Sequence, residues 1–160
     1  MAADPASVQA QLAVLQRTLR DPTTGLPLYA YDNPPYSLTT GTMPLFVNYV
    51  GALQSVQEMG RDSKGVDNDE TWQYKMDLYI APYGSGIEGE NYGVCTPYFD
   101  LVLALFGANP HLQQLGGVRS AKIVSATGAG TIPWADQDYY GIRFILQVIA
   151  RTRRTFAAGE

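Results

Sequence analysis

The segment TWQYKMDLYI, residues 71–80, constrains the fold more than any other part of the chain. Its apolar side chains fall at every second position, namely Trp72, Tyr74, Met76, Leu78 and Ile80, and the side chains between them are Gln73, Lys75, Asp77 and Tyr79. Successive side chains of a β-strand point to opposite faces of the sheet. The segment therefore predicts a strand that buries one face, within a sheet that has a core on that side.

Three further strands are predicted from similar patterns. They span residues 43–52, 118–126 and 139–156, the last with Ile142, Phe144, Leu146 and Val148 on one face. The polar segment GRDSKGVDNDE, residues 60–70, predicts a turn that joins the first two strands in a hairpin, and residues 127–138 predict a loop.

Two helices are predicted as well. The first covers residues 4–21, with Asp4 as N-cap and Pro5 at the first helical position. Its apolar stripe consists of Val8, Leu12, Leu15 and Leu19. The apolar face of the second helix consists of Val94, Tyr98, Leu101, Val102, Leu105 and Phe106. The order of helix, two strands, helix, two strands predicts an α+β fold, with an antiparallel sheet of about four strands and the helices packed on one face.

The 160 residues are expected to form a single domain. Residues 21–42 form a long proline-rich loop, a kind of segment that is usually either disordered or functional. Residues 155–160 are expected to fray as a C-terminal tail.

Composition favours a protein that assembles with itself over a monomer whose rich core would explain the same numbers. Apolar residues make up 46% and charged residues only 16% of the chain, where about 25% charged is usual for soluble domains. The eleven tyrosines are of a residue type that is enriched at protein interfaces. The net charge of −4 argues against nucleic acid as the primary ligand. Without a membrane-length apolar run or a signal peptide, the chain is expected to be soluble and made in a cytoplasm.

A glycine-rich loop links residues 71–80 to the second helix. Its GSGIEG sequence, Gly84 to Gly89, matches the letters of the dinucleotide fingerprint G-x-G-x-x-G, in which Gly84 and Gly86 are the first two glycines. However, the lysine of a P-loop is absent, and Glu88 and Glu90 would repel a pyrophosphate. The loop is therefore interpreted as a turn whose glutamates favour the helix start. A small nucleotide-binding enzyme that uses this loop is the less favoured alternative.

No catalytic, cofactor or metal site is predicted. His111 is the only histidine, and Cys95, the only cysteine, lies among apolar residues of the second helix and is interpreted as core. The acidic run VDNDE, residues 66–70, lacks the spacing of a calcium loop and is interpreted as a solvated turn.

The only concentrated positive charge is the C-terminal RTRRTF segment, with Arg151, Arg153 and Arg154. Alternation along a strand places Arg151 and Arg153 on one face. The cluster could contact DNA phosphates or an acidic partner surface, and a solvated strand end is the plainer alternative.

The second half of the chain, residues 74–151, resembles the tail terminator (tail completion) proteins of long-tailed bacteriophages. The resemblance lies in the order of its features: a strand ending in LYIAP, a glycine-rich turn, an amphipathic helix ending near Asn109-Pro110, a strand that starts with Gly117-Val118, and a closing YYGIRFILQV strand. The first helix and the MPLFVNYVG strand fit more loosely, and the proline-rich residues 21–42 depart from the pattern.

The resemblance implies a structural virion protein of the phage neck. Such proteins form a six-membered ring that caps the tail tube and offers a surface to the filled head, and they catalyse no reaction. The implied partners are copies of the chain, the tail tube protein and the head–neck connector proteins, with non-specific contact to passing DNA. The implied subunit-interface or channel residues are Gly84, Gly86, Glu88, Glu90, Arg151, Arg153 and Arg154. Another phage neck or tail-tube protein is the alternative assignment.

Overall fold

The computed structural model describes residues 3–83, 91–127 and 130–157. Its elements are α1 (Pro5–Gln16), β1 (Tyr29–Tyr31), a 3₁₀ turn (Thr40–Thr42), β2 (Leu45–Arg61), β3 (Gly65–Pro82), α2 (Asn91–Ala108), β4 (Val118–Ala126), β5 (Gly130–Trp134) and β6 (Gln137–Thr155). The chain is thus a mixed α+β fold in which the sheet predominates.

The sheet has six strands, so the prediction of about four was wrong. The strand order is β1-β2-β3-β6-β4, with β5 also paired to β6. All pairs are antiparallel except β1 with β2, which is parallel. The two extra strands lie in the segments that were predicted to be loops, residues 21–42 and 127–138. Both are only three to five residues long, and strands that short are stabilised by their partner strands rather than by a pattern of their own.

The β2–β3 hairpin is longer than predicted. Residues 60–70 are not one polar turn, because β2 continues to Arg61 and β3 starts at Gly65. The connection needs only residues 62–64, where the Asp62 carboxylate accepts hydrogen bonds from the Lys64 and Gly65 amides at 2.8 and 3.0 Å. The acidic residues beyond this turn therefore belong to a paired strand.

The first helix begins where its pattern predicts, and each helix packs largely with its predicted apolar residues against the core. The Asp4 side chain accepts a hydrogen bond from the Ser7 amide at 2.7 Å, which confirms the N-cap, but α1 ends at Gln16 rather than at residue 21. In α2, the residues Cys95, Tyr98, Val102 and Phe106 are buried, whereas Leu101 and Leu105 are only partly buried. No described helix is both long and apolar enough to cross a membrane.

The main core lies between the helices and one face of the sheet. On β3 that face carries Tyr74, Met76, Leu78 and Ile80, with Trp72 partly buried beside them, which confirms the predicted alternation. The matching side chains of β6 are Ile142, Phe144, Leu146, Val148 and Ala150. A smaller apolar cluster, formed by Leu45, Val47, Tyr79, Ile132 and Tyr139, lies on the opposite face.

That opposite face is called the back face here. Beyond this cluster, β3 contributes Asp67, Asp69, Thr71, Gln73, Lys75 and Asp77 to the back face. β6 contributes the residues in register with these, Arg153, Arg151, Ile149, Gln147, Ile145 and Arg143, and β4 contributes Arg119, Ser120 and Lys122. Most of these side chains are partly exposed, whereas the alternate residues of β6 are buried.

Candidate functional site

The glycine-rich loop predicted as a candidate contact lies outside the described residues, with Gly84, Gly86, Glu88 and Glu90 all inside the gap. The structure gives the ends of its flanking elements, with β3 closing at Pro82 and α2 opening at Asn91. A strand and a helix thus flank the loop, as predicted from the sequence.

The three C-terminal arginines lie within strand β6 and bind carboxylates of the same chain. Arg151 contacts Asp69 at 2.7 Å, and Arg153 contacts Asp62 at 2.8 Å and Asp67 at 3.3 Å. Asp67 and Asp69 belong to the run that was predicted to be a solvated turn. That interpretation was wrong, because β3 carries this run directly alongside β6.

Asp77 and Arg143 extend the same pattern along the back face. Asp77 is almost fully buried and accepts two hydrogen bonds from the Arg143 guanidinium, at 2.7 and 2.9 Å. This geometry is the bidentate one in which arginine holds a carboxylate most firmly. The hydrogen bond and the charge of Asp77 raise the pKa of Arg143 further above its usual value, so the guanidinium stays charged.

These pairs form a ladder of opposed charges between β3 and β6. Asp67, Asp69 and Asp77 stand directly opposite Arg153, Arg151 and Arg143 in the register of the two strands. A shift of the register by one residue would move every side chain of one strand to the other face. The ladder therefore favours one register of the two central strands, and its arginines have a structural role.

Arg154 points to the helix side of the sheet and binds Glu70. Glu70 is buried and accepts hydrogen bonds from Arg154 at 2.7 and 3.0 Å, from the Thr152 hydroxyl at 2.7 Å and from the Trp72 indole at 3.0 Å. The Arg154 hydrogen bond is the main reason why the pKa of Glu70 falls from 4.5 to about 2, although burial opposes that shift.

The back face still carries a surplus of positive charge. Arg119 is a second partner of Asp69, at 3.1 Å. The structure gives Lys75 and Lys122 no ion pair within the part of the chain that it describes. Sequence reasoning missed these three residues, because Lys75 is far along the chain from Arg119 and Lys122, and only the pairing of β3, β6 and β4 brings them to one face.

A second notable surface is the outer edge of β2. β1 pairs with β2 only at residues 45–47, so beyond Val47 no other described strand covers this edge. The apolar side chains Val50, Leu53, Val56 and Met59 are 38%, 45%, 52% and 47% exposed. The register places Val50, Leu53 and Val56 opposite Tyr74, Trp72 and Glu70, and therefore on the helix side of the sheet.

The structure places Cys95, the one cysteine of the chain, and His111, its one histidine. Cys95 is buried, and burial raises the pKa of its thiol, which disfavours the reactive thiolate. His111 lies in the turn that precedes β4, where its carbonyl oxygen accepts a hydrogen bond from the Leu115 amide at 3.1 Å. Within the described ranges, no group of three or more His, Cys, Asp or Glu side chains could hold a metal ion.

Comparison with known proteins gave no relative: no protein-family model matches the chain, and no curated protein is significantly similar to it.

Proposed function

We propose that this protein is a structural component of a bacteriophage neck, which assembles into a ring and caps the tail tube as a tail terminator. Two lines of reasoning support the proposal. One is the resemblance of residues 74–151 to that class of proteins in the order of their sequence features. The other, which carries most weight, is the exposed edge of β2.

A long edge strand with exposed apolar side chains tends to pair with another chain. Beyond Val47, the outer edge of β2 has backbone N–H and C=O groups that no described strand pairs, and β2 continues to Arg61. The same stretch carries four exposed apolar side chains. Proteins that stay monomeric usually protect such an edge with charges, prolines or a covering segment. Here the described part of the chain provides no covering segment.

The two edges of the sheet are different, which suits a ring. The described strand order ends at β1 and β2 on one side and at β4 on the other. When the β2 edge of one copy contacts the β4 edge of the next, the interface is heterologous, and such interfaces close into rings when the rotation permits. In this proposal the ring has six copies, as the resemblance implies, and it offers its two sides to the tube and to the head connectors.

The oligomer should be measured by light scattering after size exclusion, and its shape by negative-stain microscopy. We expect closed rings that bind the ends of purified tail tubes. The double variant Leu53→Lys with Val56→Lys should remain monomeric, because two charges on the edge disfavour strand pairing.

The matched control is Val14→Lys with Leu103→Lys, which places the same charges on helix residues that are 45% and 48% exposed. It should assemble like the unmodified protein. A chain that is monomeric at every concentration and leaves tube ends bare would refute the proposal. Open-ended tubes instead of single rings would favour the alternative of a tail-tube subunit.

A further inference from the structure

We propose that the back face of the sheet binds the phosphate backbone of double-stranded DNA without sequence preference. This inference deepens the proposed function, since DNA would cross the centre of a neck ring, but the charge pattern that carries it belongs to the single chain.

Charge is strongly segregated in this molecule. The back face carries six basic residues, Lys75, Arg119, Lys122, Arg143, Arg151 and Arg153, and three acidic ones, Asp67, Asp69 and Asp77. Asp62 of the adjoining turn also binds Arg153 and belongs to the same charge cluster. The whole chain has eleven basic and fifteen acidic residues and a net charge of −4. With Asp62 counted, the back face has a formal charge of +2, and the rest of the chain has −6. A polyanion is attracted to this face and repelled by the others.

The surplus lies in three particular side chains. Each of the three aspartates is matched by the arginine opposite to it on β6. Arg119, Lys75 and Lys122 remain in excess; the side chain of Arg119 is 52% exposed, Lys122 is exposed and Lys75 is partly exposed. These three can contact phosphates without leaving an aspartate of the ladder unpaired.

The three surplus cations lie within one turn of a duplex. Lys75 stands opposite Ile145 and Lys122 opposite Gln147, and Arg119 shares Asp69 with Arg151. They therefore span six positions of β6, or about 20 Å of strand. One turn of B-DNA is about 34 Å long. The flat face of a sheet does not enter a groove in the way a helix or a two-stranded ribbon does, so its contacts would be to phosphate oxygens, which position DNA and carry no sequence information.

The neutral side chains around the surplus cations also suit phosphate. Gln73, Gln147 and Ser120 lie between the charged positions, and amides and hydroxyls are common donors to phosphate oxygens. Among the back-face positions from Asp67 to Lys75 and their partners in register on β6 and β2, the one aromatic side chain is Tyr49, and it packs against the smaller apolar cluster. Single strands are usually held by stacking on aromatic rings, so the surface favours a duplex.

Fluorescence anisotropy with a labelled, mixed-sequence duplex of about three helical turns tests the proposal. Three phosphate contacts predict that affinity falls about 40-fold between about 50 and 200 mM salt. For Lys75→Gln with Lys122→Gln, one remaining contact predicts a fall of only about 3-fold over the same range. Binding at the lower salt should also be weaker by 10-fold or more in that variant.

The matched control is Arg20→Gln with Lys64→Gln, which removes the same charge from positions outside the back face, and it should bind DNA like the unmodified protein. The proposal is overturned if the unmodified protein shows no salt-dependent binding, if it prefers a single strand of equal length, or if the control loses as much affinity as the back-face variant.

Assembly, scored separately by microscopy, distinguishes this inference from the proposed function. The back-face variant should form rings like the unmodified protein. Rings without DNA binding would overturn the inference alone, whereas DNA binding by a strict monomer would overturn the ring alone. If the back-face variant binds DNA normally but fails to assemble, this face is a contact between copies and the DNA proposal falls.

Discussion

At the scale of single residues, Glu70 shows how one buried carboxylate is stabilised. It lies on the helix side of β3 and is bound by Arg154, Thr152 and Trp72, which together satisfy its two oxygen atoms. A buried charge is unfavourable unless it is paired and hydrogen-bonded. Because all three partners favour the ionised form, the carboxylate contributes to stability mainly as an anion.

This arrangement predicts a specific pH dependence. The folded-state pKa of Glu70, about 2, lies below its ordinary value of 4.5, so the unfolded state binds the proton more readily. The contribution, at most about 3 kcal/mol, is complete above pH 4.5 and disappears as the pH falls to about 2. In urea unfolding, Glu70→Gln should therefore be less stable than the unmodified protein at pH 7, and the difference should shrink below pH 4.5.

The control for that measurement is Glu58→Gln. Glu58 also pairs with an arginine, Arg61 at 2.7 Å, but both side chains are about half exposed. Exposed pairs contribute little to stability, so this variant should follow the unmodified protein at every pH. An equal loss in the two variants would contradict the role assigned to Glu70.

At the scale of elements, the two sides of α2 differ in how deeply their apolar side chains are buried. Val102 and Phe106 are buried in the main core, whereas Leu105 is only partly buried beside it. The apolar pattern of the helix predicted that all three residues lie on its apolar face. The inward positions were decided by where the helix lies against β4 and β6.

We therefore expect unequal effects of truncation in α2. Phe106→Ala should lower the free energy of unfolding by about 3–5 kcal/mol, since it removes a buried aromatic side chain and leaves a cavity. Leu105→Ala should lose less than the 2–5 kcal/mol usual for a fully buried leucine. Denaturant unfolding of both variants checks the order, and a larger loss for Leu105→Ala would show that the helix is rotated from its described position.

At the scale of the whole molecule, the ion-pair ladder connects the two central strands of the sheet. β3 and β6 are neighbours along nearly their full length, and the ladder extends from Asp67 with Arg153 to Asp77 with Arg143. The arginines at the C-terminal end of β6 are therefore bound to carboxylates of the same chain.

Replacing Arg151, Arg153 and Arg154 together by Ala should destabilise the whole fold. Asp69 and Glu70 would lose charged partners, Glu70 in a buried position. We expect the melting temperature to fall by several degrees, measured by circular dichroism in dilute protein. The exposed pair of Arg61 and Glu58 supplies the control, as Arg61→Ala should change melting little. Unchanged melting of the triple variant with loss of assembly would show that these arginines bridge subunits instead.

The amino-acid sequence by itself determined the features that depend on neighbouring residues. The alternation in residues 71–80 predicted which face of β3 is buried, and Asp4-Pro5 predicted where α1 begins. The pattern of VRSAKIVSA predicted β4 at its observed bounds, Val118–Ala126. These predictions succeeded because strand periodicity and helix capping act over a few residues, whatever the rest of the chain does.

Only the tertiary structure decided which distant residues meet. Asp69 and Arg151 are 82 positions apart, and neither the acidic run nor the arginine cluster indicates its partner. In retrospect, two aspartates and two arginines share the same spacing of two residues, Asp67 and Asp69 on one strand and Arg151 and Arg153 on the other. This spacing suits two paired antiparallel strands, but it also fits a solvated strand end. Likewise, the back face brings Lys75 of β3 together with Arg119 and Lys122 of β4, which are more than 40 positions away from it in the chain. Strand order and register decide which charged residues share one face of the sheet, and both are set by the pairing of segments that are distant in the sequence.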